Sequence, residues 1–307
     1  MRGDGGVRTR FAPSPTGDLH LGGAWTALAS WVVARRAGGE HVLRIEDLDR
    51  PRVVAGSEAR IEDDLRWLGL VWDEGPFRQS ERGPLYEAAV ARLAERGLVY
   101  PCDCSRAEIA RVASAPHPGD EAVYPGFCQD RDPARAMRRP PALRVRVPDE
   151  VVTYDDGAVG RVAQNLAREV GDFVLRRGDG VFAYQLAVVV DDLAMGITDV
   201  VRGADLVAST PRQIWLARML GGEPPRFAHV PVVAAAEGGR LEKRGRGATV
   251  RELRDAGVAA ERVVGVLAHG LGLAASDAPT TARRIAEALA NGPVSWQRGA
   301  WRVPARF

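Results

Sequence analysis

The string His20-Leu21-Gly22-Gly23 follows the turn-forming run Pro13-Ser14-Pro15-Thr16-Gly17 and leads into an apolar stretch that opens at Ala24. Glycines at the start of a helix let a ligand approach free backbone N–H groups, and the helix dipole there favours an anion such as phosphate. An imidazole beside those groups can hydrogen-bond phosphate oxygens as charge develops at an α-phosphate. A histidine followed by glycines is also common where nothing binds, so the string alone assigns no role. The second candidate is a cluster of all three cysteines, Cys102, Cys104 and Cys128, with Tyr124 completing a Cys-x-Cys, Tyr-x-x-x-Cys pattern. This spacing is no disulfide framework for a chain of 307 residues. Three thiolates and one further donor satisfy tetrahedral zinc, and both Tyr124 and His117, which lies between the pairs, are available as the fourth. Four protein donors leave no open position, which makes a structural zinc the expectation.

Around these residues the chain reads as alternating strand and helix. A short strand from Val7 precedes the proline-rich turn; a helix over about 24–37 is stopped by Gly38-Gly39, and a strand follows over 41–46. Ser57 is expected to cap a helix running to about Leu68, and a helix over 84–96 closes at Gly97. Residues 99–181 change character, with every cysteine, many prolines and alternating runs such as Leu143-Arg144-Val145-Arg146-Val147, and read as an inserted subdomain. The apolar run 184–190 fits either a helix or a buried strand, whereas 197–201 fits a strand. Thr210-Pro211-Arg212-Gln213 and Thr249-Val250-Arg251-Glu252 both have the form of helix-opening capping boxes. The expected fold class is α/β: a Rossmann-type parallel-sheet catalytic core in two halves, 1–98 and 182–240, split by the zinc-binding insertion 99–181 and followed by a loop and short helical tail over 241–307.

Composition bounds the rest. With 46% hydrophobic residues the chain can bury a large core. Its 42 basic and 40 acidic residues leave a formal charge of +2, so contact with nucleic acid has to come from local patches. Two such patches stand out, Arg135, Arg138, Arg139, Arg144 and Arg146, and then Arg240, Lys243, Arg244, Arg246 and Arg251; either can equally be a solvated charged face. The first residues carry no apolar run of signal-peptide type, and no segment reaches the roughly 20 continuous apolar residues that span a bilayer, so a cytoplasmic protein without membrane contact is expected.

The run from Arg10 through Phe11, Ala12, Pro13, Ser14, Pro15, Thr16, Gly17, Asp18, Leu19, His20 and Leu21 to Gly22 resembles the HIGH motif region of the glutamyl-tRNA synthetase family, within the class I aminoacyl-tRNA synthetases. The resemblance continues through Leu43-Arg44-Ile45-Glu46-Asp47-Leu48-Asp49, through the run from Tyr184 to Asp192, and through the run from Gly196 to Gly203. Four blocks in family order span about the first 245 residues, far more specific than any one of them. The resemblance implies that Arg10 and Arg202 hold the carboxylates of glutamate, that Glu46 takes its ammonium, and that Tyr184, Phe11, Ala12, Pro13 and Ser14 line the same site. Guanidinium forks match carboxylates, and a carboxylate is the natural partner of an amine. Taken singly, Glu46 could instead pair near Arg44, and Tyr184 could be core. His20, Gly22 and Gly23 would bind ATP, with Mg2+, and His20 would act in catalysis.

The family's second motif, KMSKS, is matched in altered form by Arg240-Leu241-Glu242-Lys243-Arg244 in a glycine-flanked loop. Lys243 aligns with its second lysine, placing a catalytic, ATP-binding ammonium where it can follow the leaving pyrophosphate. Arg240 stands for the first lysine and Glu242 for the serine; a carboxylate pointing inward would repel phosphate. Only 60 residues follow Gly247, too few for the helical anticodon-reading region of a full glutamyl-tRNA synthetase. That shortness and the cysteine pattern, with Tyr124 as fourth ligand, are similar to the glutamyl-Q tRNA(Asp) synthetase branch of the family. The resemblance implies a monomeric enzyme that forms glutamyl-adenylate from glutamate and ATP without tRNA, then esterifies queuosine at the wobble position of tRNA(Asp). Two alternatives stand beside it: a compact glutamyl-tRNA synthetase charging tRNA(Glu), and an inactive synthetase-like tRNA-binding protein. Retention of His20, Glu46, Tyr184, Arg202 and Lys243 speaks against the last, since a binding module needs no complete ATP and amino-acid site.

Overall fold

A computed structural model describes residues 6–110, 123–234, 249–290, 292 and 294–302. The chain begins with alternating strands and helices: β1 (Arg8–Phe11), α1 (Leu21–Arg36), β2 (Glu40–Ile45), α2 (Ser57–Trp67), β3 (Glu74–Arg78) and α3 (Gly83–Glu95). The expected insertion contains β4 (Val99–Cys102), α4 (Arg106–Ala110), β5 (Ala142–Val145), β6 (Val151–Asp156), β7 (Gly160–Asn165) and β8 (Phe173–Arg176). Alternation resumes with α5 (Tyr184–Ala194), β9 (Asp199–Gly203), α6 (Thr210–Met219), β10 (Arg226–Val230) and β11 (Val233–Ala234). The last part holds α7 (Val250–Asp255), α8 (Ala260–Leu271), α9 (Ala282–Ala288) and β12 (Trp301–Arg302).

β1, β2 and β3 form one parallel ladder with β2 central, and β9 and β10 form another. The two ladders abut at β1 and β9, where Thr198 N donates to Arg8 O at 2.9 Å. The α/β class with a parallel sheet is thus present as expected. β2 is buried at five of its six positions, as a strand covered on both faces must be. α1 carries no amphipathic stripe and is buried nearly all round, between the sheet and α8 and α9. The insertion is antiparallel instead: β4, β5 and β8 form one sheet, and β6 and β7 form a hairpin that packs on α6 and β10. Among the described residues no helix is long and apolar enough to cross a membrane.

Several local expectations shift for physical reasons. The run at 184–190 is helical; a helix keeps Asp191 and Asp192 close enough in direction for both to reach Arg44, whereas strand alternation would send them to opposite faces. The next strand runs over Asp199–Gly203, two residues later than its apolar core suggests. Ser57 does not cap α2; Gly56, at φ 72°, occupies that position, and the Ser57 hydroxyl instead donates to Gly17 O at 2.5 Å. α6 starts at Thr210 as expected, but Ser209 is its cap, and the Thr210 hydroxyl accepts from Arg202. The Thr249 and Glu252 box forms in full.

The tail is not only helical. β12 returns to pair in parallel with β11, and Trp301 stacks on Trp25 of α1 with ring centroids 4.7 Å apart. α7, α8 and α9 contribute Val250, Leu253, Val263, Leu267 and Ile285 to the same core as α1. Gly270 makes this possible, because a Cβ there would lie 2.5 Å from Trp301 Nε1 and 2.8 Å from the Trp25 ring. Gly270→Ala is expected to gain up to about 1 kcal/mol of helix propensity but to lose about 1–3 kcal/mol through overpacking. Urea unfolding followed by tryptophan fluorescence should show a net loss of stability.

Candidate active site

The strand-turn-helix from β1 to α1 is tied down by its neighbours. Glu46 N donates to Pro13 O and Val54 N to Pro15 O, each at 2.9 Å, while Gly17 contacts Ser57 and Asp18 pairs with Arg60. His20 is exposed and caps α1, its Nδ1 accepting from Gly23 N at 3.0 Å. The glycines serve this local arrangement: a Cβ on Gly22 would sit 3.1 Å from His20 Nδ1, and one on Gly23 only 2.8 Å from Leu19 Cδ1. Phe11 is buried, Ala12 and Pro13 are half-buried, and Ser14 is exposed. His20 also forms an antiparallel bridge with Thr249, and Val250 N donates to Leu19 O at 2.8 Å. The chain leaving Arg240, Glu242, Lys243, Arg244 and Arg246 therefore rejoins the fold beside His20; those five residues lie outside the described ones.

Charged side chains converge at the carboxyl ends of β1, β2 and β9, where ligands of parallel α/β sheets bind. Arg10 Nε donates to Asp192 at 3.1 Å. Arg44, fully buried, contacts Asp192 at 2.7 Å, Glu46 at 3.3 Å and Asp191 at 3.7 Å. Asp191 is held in turn by Gln79, Arg82 and Tyr86. Arg202 Nη1 donates to the Tyr184 hydroxyl at 3.5 Å, Nη2 to Thr210 at 2.7 Å, and Nε to His229 Nε2 at 3.1 Å. The structure thus brings Arg10, Glu46, Tyr184 and Arg202 together. Glu46 and Arg44 are indeed neighbours, but as an inward pair, not at the surface.

Burial raises the pKa of Glu46, against the opposing pull of Arg44 and Arg10. Burial would likewise raise Asp192, but Arg10 and Arg44 outweigh it and hold the carboxylate below its ordinary value. Burial lowers Arg202, and the like charge of Arg10 adds to the effect. Two guanidiniums, a carboxylate and a phenol facing one space suit a ligand with two carboxylates and one ammonium. Nothing in the sequence assigns Arg44, Asp191, Asp192, Asp156 or His229 a place in this site, and Thr210 reads there only as a helix cap. The adjacent Asp191-Asp192 at the end of an apolar run was the one available signal, since paired carboxylates there require buried cations.

The second cluster forms at the end of β4. Cys102, Cys104 and Cys128 place their sulfurs within 4.8 Å of one another, and Cys104 and Cys128 are 3.6 Å apart. The Tyr124 hydroxyl lies 3.3 Å from Cys102 Sγ and 3.8 Å from Cys104 Sγ. Ligand bonds of about 2.3 Å for sulfur and 2.0 Å for oxygen at tetrahedral angles require separations of roughly 3.5–3.8 Å, so the donor set fits a metal ion. Burial, with Cys128 and Cys102 alongside, pushes the Cys104 thiol up to about 11, so a bound cation is needed to keep it a thiolate at neutral pH. His117 lies outside the described residues.

The first arginine patch braces this cluster. Arg135 and Arg138 grip the buried Asp103 carboxylate, Arg135 also donates to Cys128 Sγ at 3.5 Å, and the Arg144 guanidinium lies 3.9 Å from the centre of the Tyr124 ring. Arg138 and Arg139 share Glu108, and Arg146 reaches Gln129 O and Asp130. Their charges are engaged in part by carboxylates and backbone carbonyls of the protein, while Arg138 and Arg139 keep nearly half of their side chains exposed. In the second patch, Arg251 pairs with Asp63 and Asp64.

Comparison with known proteins gives a consistent result. The family model described as tRNA synthetases class I (E and Q), catalytic domain, matches residues 6–283. The glutamyl-Q tRNA(Asp) synthetase of Nitratidesulfovibrio vulgaris is 49% identical over 281 residues, covering 87% of both chains. That of Deinococcus radiodurans is 53% identical over 270 residues, covering 86% of this chain and 89% of its own. Among solved structures, a glutamate tRNA ligase from Elizabethkingia meningosepticum in complex with its amino acid superposes with a TM-score of 0.81 at 27% identity, over 97% of this chain and 67% of that one.

Proposed function

This chain belongs to the class I tRNA synthetases for glutamate and glutamine, and we propose that it is a ligase that activates glutamate with ATP and transfers it to queuosine in tRNA(Asp). The observation that carries the amino-acid half is the meeting of Arg10, Glu46, Tyr184 and Arg202 beside the His20 turn. Arg10 and Arg202 take the two carboxylates of glutamate, Glu46 its ammonium, and Tyr184 closes the wall, with Phe11, Ala12, Pro13 and Ser14 along the edge. A carboxylate oxygen of glutamate attacks the α-phosphorus of ATP, pyrophosphate leaves, and a hydroxyl of the acceptor then attacks the adenylate carbonyl with loss of AMP. His20 and the N–H group at Gly22 stabilise charge on the α-phosphate, with the Gly23 N–H engaged in holding His20, and Lys243 stabilises charge on the leaving group. Mg2+ brought with ATP would offset further phosphate charge. Cys102, Cys104, Tyr124 and Cys128 hold one structural zinc.

The acceptor half is supported by relatives of similar length that carry the glutamyl-Q tRNA(Asp) synthetase name. An enzyme that modifies an anticodon loop can read unstacked bases at the active site itself. With radiolabelled glutamate and ATP, label is expected on queuosine-containing tRNA(Asp) and on its isolated anticodon stem-loop. None is expected on the same tRNA lacking queuosine or on tRNA(Glu). Label on the 3′ end of tRNA(Glu) would make this a compact glutamyl-tRNA synthetase, and no label on any RNA would favour a binding protein.

A further inference from the structure

Arg10 and Arg44 each touch a carboxylate directly, at 3.1 and 2.7 Å from Asp192. Arg202 is different. Its hydrogen-bond partners among the described residues, His229, Thr210 and Tyr184, are all neutral, and the Phe227 ring lies 5.2 Å from its guanidinium carbon. A guanidinium only donates, so the Nε contact requires His229 Nε2 to be an unprotonated acceptor. The imidazole proton then resides on Nδ1, which donates to Asp156 Oδ2 at 2.5 Å. The other oxygen, Asp156 Oδ1, accepts from the backbone N–H groups of Ala158, Val159 and His229 at 2.9–3.0 Å. Neither the Asp156 nor the His229 side chain is exposed. Burial keeps the imidazole neutral by lowering its pKa, against the pull of Asp156.

We propose that Asp156 and His229 are positioning residues that set which amino acid is accepted: Asp156 fixes the imidazole tautomer, and the imidazole orients Arg202 without neutralising it. Arg202 is thereby left as the guanidinium whose charge a substrate side-chain carboxylate must satisfy. Glutamine, with no charge and an amide N–H to set against guanidinium N–H groups, is refused. Asp156 lies on the β6–β7 hairpin, so the antiparallel insertion reaches into the selectivity of the parallel-sheet core. The inference rests on the proposed activation of glutamate and deepens it.

Asp156→Asn tests it with the size of the side chain unchanged. Three backbone donors hold the amide oxygen at the Oδ1 position, which turns the amide N–H toward His229 Nδ1. The imidazole must then accept at Nδ1 and carry its proton on Nε2, facing the Arg202 donor. The KM for glutamate in pyrophosphate exchange is expected to rise at least about tenfold, and the glutamate-over-glutamine ratio of kcat/KM to fall by a similar factor, with the KM for ATP within about twofold. Nitrogen-15 NMR should show the His229 proton moving from Nδ1 to Nε2. His229→Gln and His229→Glu, equal in size, give a second reading: the neutral acceptor should retain most of the selectivity, and the carboxylate, by neutralising Arg202, should lose it. A folded Asp156→Asn with wild-type glutamate KM and selectivity overturns the inference, as do His229→Gln and His229→Glu proteins with equal selectivity. A wild type that exchanges no pyrophosphate overturns the functional reading and this inference with it, and the tautomer signal distinguishes that failure from an error in the hydrogen-bond assignment.

Discussion

Lys243→Ala is expected to slow glutamate-dependent exchange of labelled pyrophosphate into ATP by about a hundredfold or more, in assays containing Mg2+ and no tRNA. That factor corresponds to about 2.7 kcal/mol of transition-state stabilisation, the size of one strong contact to developing charge in a site with little water. Lys243 is outside the described residues, but the chain that carries it is anchored at Thr249, which bridges to His20. Thr249 lies six residues further along the chain, against the α1 N-terminus where the proposed nucleotide binds. Because Arg10 and Arg202 sit on β1 and β9 and Glu46 directly follows β2, all outside the loop of Lys243, the KM for glutamate should change far less than kcat. Exchange in the variant equal to that of the wild type would remove Lys243 from the chemistry, and absence of exchange in the wild type would remove the activation reading itself.

If the cysteine cluster holds the proposed zinc, removing the metal should loosen the turns around Cys104 and Cys128 while sparing the parallel-sheet core. The cluster around Cys102, Tyr124 and Cys128 has only four buried apolar side chains, counting Tyr100. Each buried side chain contributes about 1.5–3 kcal/mol, whereas fixing a residue costs about 1–2 kcal/mol, so a cluster this small cannot by itself order the described turns over 103–110 and 123–139. A structural zinc, which contributes on the order of 10 kcal/mol to small domains, would supply the remainder. Protein purified without chelator should contain about one zinc per chain, bound by three thiolates and a phenol. Strong chelation should open residues 103–110 and 123–139 to protease and hydrogen exchange, and Cys128→Ser should weaken zinc binding at least about tenfold. The two larger cores share no residue with this cluster, so tryptophan fluorescence from Trp25, Trp31 and Trp215 should change little. Zinc content near zero, with residues 103–110 and 123–139 equally protected before and after chelation, would leave the thiols as plain packing residues.

What the sequence determined by itself are the features encoded within a few residues of chain: the alternation of strand and helix, the stops at Gly38 and Gly97, the box at Thr249, and the cysteine pattern. Each depends on local geometry, so spacing and residue type carry it. The resemblance in four blocks added which of the scattered side chains meet, and Arg10, Glu46, Tyr184 and Arg202 do meet. The tertiary structure alone decided the matters that hinge on who reaches a group first. Ser57 and Thr210 look like helix caps in sequence, but their hydroxyls are taken by Gly17 and Arg202, because a partner distant in sequence satisfies a buried polar group as well as a local one. The arginines of the insertion look like a phosphate-binding patch, but Asp103 and Glu108 claim much of their charge. Asp156 and His229 lie 73 residues apart and stand behind Arg202 rather than beside it in any motif, so no spacing could disclose them. Side chains that act through other side chains become visible only once burial has forced every donor to find its acceptor.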